Sequence, residues 1–466
     1  MTYTEILTDI GLNRRSDDIS PSAYAATKKM VLDSLGCAIA ARTSPGVKEV
    51  VEQMRDWGGK PEASILLFGD KVPAPAAIFA NGALIHALDY DDIHIPASLH
   101  ITSIIIPTAL AAAEMSGASG KDMLAAVAMG VEVAGRLGIA GRSRRRGGGF
   151  LPSSLDGGFG AVVTAARLLG LTSKQCVNAM GINYAQTSGN RQALHDMTLT
   201  KRIQPALAAR AAMFSVALAR RGFTGAHRAL EGSEGYFKVY LNGDVCEPEE
   251  LTVDYGWYQI ERLVVKRWTS CGACHSAQAA AERLAREEKP TPDDIDRVEL
   301  FGCGPGGLVG GPFEISDNPQ VDAQFNAAYG VALALLRGPA KLSDYTDEAV
   351  LADTQVAEFA KRITYTSVPD DLPPQVERPS DYPAYAPRYH GVIVHMKDGR
   401  RIMRVQSPAQ TFAPGADTFE TVLGKFRDCA AFSEACPPER AEAIIEEVRH
   451  VDDKPSIAPL MGLLIL

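Results

Sequence analysis

Between Ala87 and Ser103 the chain reads ALDYDDIHIPASLHITS. Three carboxylates (Asp89, Asp91, Asp92) and two imidazoles (His94, His100) gather there, where an apolar helix pattern gives way to a Pro-containing loop. Ionisable groups in an apolar setting cost folding energy unless they are paired, so this density points to a site. Three readings suit the residue types. Aspartates at a helix end are commonly a solvated surface. The Asp-x-Asp-Asp spacing is also one with which helical diphosphate-processing enzymes hold Mg²⁺, although no second Asp-rich segment of comparable quality accompanies it. The third reading is general acid/base chemistry. An unperturbed imidazole titrates near neutrality, and Asp89 would orient or charge one such as His100.

Two cationic segments lie far downstream, LTKRIQPA with Lys201 and Arg202, and VVKRWTSCGACH with Lys266 and Arg267. Each sits where a polar stretch meets an apolar one. Carboxylate substrates need such clamps, and an enolate-like charge needs them more in the transition state than in the ground state. The second segment continues into Cys271-Gly272-Ala273-Cys274-His275, letter for letter the haem-attachment pattern. Covalent haem requires export, and the first residues carry no signal of it. Zinc would need two further ligands that no nearby pair supplies. These cysteines are therefore read as pocket or core residues, and His275 as a supporting donor or a satisfied helix residue. Arg144-Arg145-Arg146 before three glycines reads as a mobile, solvated loop rather than a phosphate cradle.

Helices must position these groups. Ser20-Pro21 reads as a cap with proline at the first helical position, followed by Tyr24, Val31, Leu35 and Ile39 at a helical period. Further starts are expected at Ser44-Pro45, Ser119 (running through Leu137), Gly160 (to Leu169), Thr172 and Gln204 (to Arg220). After about Lys266 the composition shifts. DRVELFGCGPG alternates like a strand, and YHGVIVHM and RIMRVQS flank a Lys397-Asp398-Gly399-Arg400 turn, a hairpin signal. Helical AQFNAAYGVALALLRG and a Pro-rich stretch from Val368 to Pro387 lie between them, and helical patterns return after Ser407. The expected fold is mainly α, with an all-helical domain over 1–265 and 408–466 and a smaller α+β lid over 266–407. The apolar ending LMGLLIL reads as a docked terminus.

At 466 residues a large interior and two domains are available. A formal net charge of -9 argues against nucleic-acid or anionic-membrane surfaces, and limits partners rather than substrates. The stretches IIIPTALAAAEM and MLAAVAMGVEVAG, broken by Pro, Gly or Glu, read as core helices too short to span a membrane. Eight scattered cysteines fit reduced thiols in a cytoplasm.

Taken together, NGALIHALDYDDIH, LHITSIIIPTALAAAE, GFGAVVTAARLLGL, TKRIQPALAAR, the Lys266–His275 segment and FNAAYGVALALLRG resemble the MmgE/PrpD family over essentially the whole chain. That family includes 2-methylcitrate dehydratases, cis-aconitate decarboxylases and iminodisuccinate epimerases. The resemblance implies a helical domain with an α+β lid, homodimers, and chemistry on small polycarboxylates without metal or other cofactor. It places the family's active-site aspartate at Asp89, its histidine at His100, its two lysines at Lys201 and Lys266 and its lid tyrosine at Tyr329. Asp92, Arg202, Gln204, Cys271 and His275 are the accompanying substrate-contacting positions. In this reading the two lysines anchor carboxylates, His100 is the base, Asp89 holds it and Tyr329 delivers a proton. Arg388, Tyr389 and His390 of the lid are further candidates to contact substrate. Three departures stand out. Leu151 and Gln204 replace histidines found in relatives, and Cys271 replaces the decarboxylases' histidine, which counts against decarboxylation. The expected activity is thus proton abstraction α to a carboxylate, with dehydration of a methylcitrate-like acid first and epimerisation or decarboxylation as alternatives. A Mg²⁺-dependent isoprenoid enzyme and a non-catalytic carboxylate-binding or scaffold protein are the readings of other classes.

Overall fold

The computed structural model describes residues 1–141, 149–241, 248–303, 309–372, 389–413 and 417–465. Arg144-Arg145-Arg146, Arg388 and most of the Pro-rich stretch lie outside the described residues. The chain forms two compact units, one of Met1–Arg191, Arg202–Val265 and Pro414–Leu466, the other of Gln192–Lys201 and Lys266–Ala413. The architecture is mainly α, with a smaller α+β unit.

In the first unit Ser20 accepts the Ala23 N–H and Pro21 opens helix Pro21–Ala40, as its cap signature anticipates. From Met30 to Ala40 this helix is buried on every side, which carries Asp33 into the core. The next helix does not begin at Ser44-Pro45. A 3-10 turn over Ala41–Thr43 intervenes, and Gly46, at φ 85°, leads into helix Val47–Trp57 in a left-handed conformation that suits glycine.

Helix Gly120–Gly141 also corrects the sequence reading. Its 22 residues are long and apolar enough to cross a membrane, but the apolar stretch is wholly buried inside this unit. Helix Pro152–Leu168 starts well before Gly160. Gly157, Gly158 and Gly160 have poor helix propensity, which hides the start, and close packing explains the third. A Cβ on Gly160 would lie 2.3 Å from the Gly130 carbonyl oxygen, and one on Gly130 would lie 2.0 Å from Thr164 Oγ1. These two helices therefore touch backbone to backbone. The chain's end docks through helix Ala458–Leu463, with Leu464 buried and its carbonyl accepting the Leu67 N–H.

The second unit holds a four-stranded sheet in the order Thr364–Tyr365, Ile295–Phe301, His390–Met396, Arg401–Gln406. Its first pair is parallel and the others antiparallel. The expected hairpin closes with Gly399 at φ 91°. Helix Gly272–Glu288 packs on both hairpin strands, and helix Ala327–Arg337 packs on that helix. The segment around Phe325 is not one helix. Pro319–Gln324 ends at Phe325, and Asn326 caps the next helix by accepting the Ala328 and Tyr329 N–H groups.

Candidate active site

In the first unit, helix Ala74–His86 ends at the acidic cluster. Asp89 follows with φ 49°, a left-handed conformation uncommon for a side-chain-bearing residue, and donates its N–H to the His86 carbonyl at 3.0 Å. This reversal lets the His86 imidazole meet a carboxylate five residues on, with Nδ1 2.8 Å from Asp91 Oδ2. Asp92 turns to the start of helix Thr102–Ser116, where its Oδ1 accepts the Thr102 N–H at 2.9 Å and the Thr102 hydroxyl, and its Oδ2 accepts the Ile101 N–H at 3.3 Å. Anions are favoured there by unpaired N–H groups. Burial above all, and then the charge of Asp91, push the Asp92 carboxyl up to about 7.

His100 completes the cluster. Its Nδ1 lies 2.6 Å from the Asp92 main-chain oxygen, its own N–H donates to Ser153 Oγ at 2.8 Å, and its ring centroid is 5.4 Å from that of His86. A carbonyl only accepts, so Nδ1 carries the hydrogen and Nε2 presents the lone pair in the neutral ring. His94 points elsewhere. Its Nε2 meets Gln259 Oε1 at 2.9 Å, and burial lowers its pKa to about 4, so it stays neutral. Ile93–His94 pairs as a short strand with Leu263–Val264, which fixes the loop between them and His100.

Buried Asp89 and Asp92 and half-buried His100 thus come together in one cluster, joined by buried His86 and Asp91, to which the sequence assigns no catalytic role. The signal for His86 was its place three residues before Asp89, at the end of an apolar helix. Donor atoms of His86, Asp89 and Asp91 lie within 4.8 Å of one another, close enough to hold a divalent ion.

The other first-unit candidates brace backbone. Arg202 donates to the Pro45 carbonyl at 2.7 Å. The Gln204 carboxamide takes both groups of Asn190, accepting its N–H at 2.8 Å and donating to its oxygen at 2.9 Å. Leu151, at the N-cap of helix Pro152–Leu168, donates its N–H to the neighbouring Gly189 carbonyl at 3.2 Å. Leu151 and Gln204, the two positions at which the resemblance leads one to expect histidines, therefore both meet the 189–190 segment.

In the second unit Lys201 and Lys266 are both buried. Lys201 Nζ stands 5.2 Å from the Phe325 ring centroid, within a small apolar cluster of Leu194, Val321 and Phe325 against which Cys271 also packs. Cys271 precedes helix Gly272–Glu288 and donates its N–H to the Gln324 carbonyl at 2.8 Å. His275, fully buried, stacks on Phe412 and meets the edge of Trp268, with Nε2 3.2 Å from the Ser270 carbonyl oxygen. Tyr329 packs between Phe313 and Tyr345 and donates its hydroxyl to the Asp344 carbonyl at 2.9 Å. Burial holds its phenol well above the ordinary range. Among the lid candidates, His390 Nδ1 meets Cys303 Sγ at 3.0 Å, and burial lowers the imidazole to about 4.

A mainly helical unit followed by a smaller α+β unit agrees with what whole-chain comparison shows. The chain belongs to the MmgE/PrpD family, its residues 5–249 matching the MmgE/PrpD N-terminal domain and 268–452 the C-terminal domain. Among individual proteins it is 26% identical over 474 residues to the cis-aconitate decarboxylase-like protein oryM of Aspergillus oryzae, covering 97% of this chain and 94% of that protein. It is 26% identical over 477 residues to a cis-aconitate decarboxylase of Aspergillus terreus, with the same coverage. With a 2-methylcitrate dehydratase of Salmonella typhimurium it shares 24% identity over 447 residues, covering 88% of this chain and 86% of that protein. These relatives are decarboxylases and dehydratases by name, lyases as a class.

Proposed function

We propose that this protein is a lyase that draws a proton from the carbon α to a carboxylate of a small di- or tricarboxylic acid. The observation that carries the reading is the His100 tautomer. With the Nδ1 hydrogen on the Asp92 carbonyl, Nε2 is the basic nitrogen of a ring set in a cluster of buried acids. Base removal of the α-proton places the C–H electron pair on the carboxylate as an enediolate, and the family resemblance assigns the stabilising cations to Lys201 and Lys266. In dehydration that pair then forms the C=C bond as hydroxide leaves the adjacent carbon, and the imidazolium of His100 returns its proton to make water. Tyr329, with its hydroxyl proton on the Asp344 carbonyl, packs the lid core in this scheme instead of acting as the acid. Asp89 supports the imidazoles. The family resemblance adds a homodimer and a reaction without cofactor, and the scattered cysteines suit a cytoplasmic setting.

Dehydration is favoured by Cys271, which stands where the resemblance places the decarboxylases' histidine. A second reading, loss of carbon dioxide from a cis-aconitate-like acid, is favoured by the decarboxylase relatives that cover 97% of this chain. Incubation with 2-methylcitrate and with cis-aconitate, followed by proton NMR and carbon dioxide release, separates the two. New olefinic signals without gas support dehydration, gas supports the second reading, and silence with both acids and their homologues removes both.

A further inference from the structure

Asp33 and Lys425 lie 392 residues apart and belong to no motif, yet they meet beneath the acid cluster. Helix Phe419–Ser433 carries Lys425 against helix Pro21–Ala40, where its Nζ sits 2.7 Å from Asp33 Oδ1. The Asp33 side chain is fully buried and that of Lys425 only 9% exposed. The same ammonium donates to the Tyr90 carbonyl at 2.7 Å and stands 3.7 Å from the centroid of the Tyr90 ring. Tyr90 is the residue between Asp89 and Asp91.

We propose that Asp33 and Lys425 are a positioning pair that fixes the Asp89–Asp92 reversal from behind, and so sets where the imidazoles of His86 and His100 point. This rests on the reading of that cluster as the reactive site. A left-handed aspartate persists only where its surroundings over-determine it. The reversal is held at His86 by its pairing with Asp91, and at Asp92 by the start of helix Thr102–Ser116. Between those two points, Lys425 grips the main chain at Tyr90 and the face of its ring, and Asp33 anchors Lys425. The contact is directional, with one ammonium joining a carboxylate, a carbonyl and a ring at once. Solubility or surface charge gains nothing from it, because the pair is buried. Without the lysine, burial would act on Asp33 unopposed and drive its carboxyl to take up a proton. The Tyr90 carbonyl would then lose its charged donor, and the turn would relax toward an ordinary conformation.

The test compares Asp33→Asn, Lys425→Met and the double variant, which removes both charges at nearly constant volume and so avoids stranding a lone buried ion. Two quantities are read, kcat and KM on whichever polycarboxylate the wild type turns over, and the ring NMR signals of His86 and His100. In the folded double variant kcat is expected to fall on the order of 10- to 100-fold, as for a small misplacement of reacting groups, with KM within about threefold. The ring signals of His86 and His100 shift while those of remote His227 and His450 stay. Asp33→Asn, which keeps the lysine but loosens it, gives the same changes to a smaller extent and serves if the double variant does not fold. Wild-type kcat and unmoved ring signals in any folded variant of the set would overturn the proposal. Should the wild type turn over none of the acids, the lyase reading fails by itself, and the ring signals alone decide whether the pair positions the cluster.

Discussion

Asp92→Asn isolates the electrostatics of the cluster. In the unfolded chain this carboxyl ionises near its ordinary 3.8, whereas in the folded protein burial and the charge of Asp91 hold the proton on until about 7. Across that window the folded state binds more protons than the unfolded state, so this group's contribution favours folding below about pH 4 and is lost as pH rises through about 7. The full span corresponds to roughly 4 kcal/mol, and the part between pH 5 and 8 to roughly 3 kcal/mol. Asparagine does not titrate. Its carbonyl still accepts the Thr102 N–H, but its amide faces the Ile101 N–H, a pH-independent cost of about 1 kcal/mol. Urea denaturation of both proteins at pH 5 and pH 8, followed by far-ultraviolet circular dichroism, gives the difference directly. The variant is expected to gain roughly 3 kcal/mol on the wild type between the two conditions. A difference that does not change with pH would mean that Asp92 is ionised throughout, and the burial argument would be wrong.

Lys266→Met is expected to lower kcat/KM by about 100-fold or more, as for loss of a preorganised charge on a developing anion, with substrate-free circular dichroism unchanged. A fall in melting temperature with turnover intact would remove Lys266 from the clamp. Gly130→Ala tests the packing of the helical unit. Its Cβ would lie 2.0 Å from Thr164 Oγ1, so about 1–3 kcal/mol of stability should be lost, and wild-type melting would refute the close approach. Chelator treatment is expected to leave turnover unchanged. Loss of activity restored by a divalent ion would instead make His86, Asp89 and Asp91 its ligands.

The mainly helical architecture and the hairpin of the second unit are visible in the sequence because both rest on local signals. Ser20-Pro21 is a cap with a mechanism, and Asp398-Gly399 is a turn with one. Boundaries fail where tertiary packing overrides propensity, as in helix Pro152–Leu168, whose glycines weaken the helical signal while one of them lets a neighbouring helix approach. Asn326 shows the opposite case, in which one capping side chain interrupts an apolar run that reads as continuous. The acid cluster is legible because one segment supplies most of it. Its internal pairing is not. His86 reaches Asp91 only through the left-handed Asp89, and Lys425 reaches Tyr90 across 335 residues. Neither relation has a spacing that a sequence pattern could reveal. Leu151 and Gln204 lie 53 residues apart in the sequence, whereas the fold sets both against residues 189–190.

The most direct test of the central claim is C–H exchange in D₂O, followed by proton NMR, with chelator-treated wild type, folded His100→Ala and a panel of small polycarboxylates. The wild type is expected to wash deuterium into the carbon α to a carboxylate of at least one acid, and His100→Ala to lose that exchange while still binding the acid. Exchange at the wild-type rate in His100→Ala would remove His100 as the base. Binding without exchange in the wild type would contradict the lyase reading itself and leave a protein that holds carboxylates without transforming them.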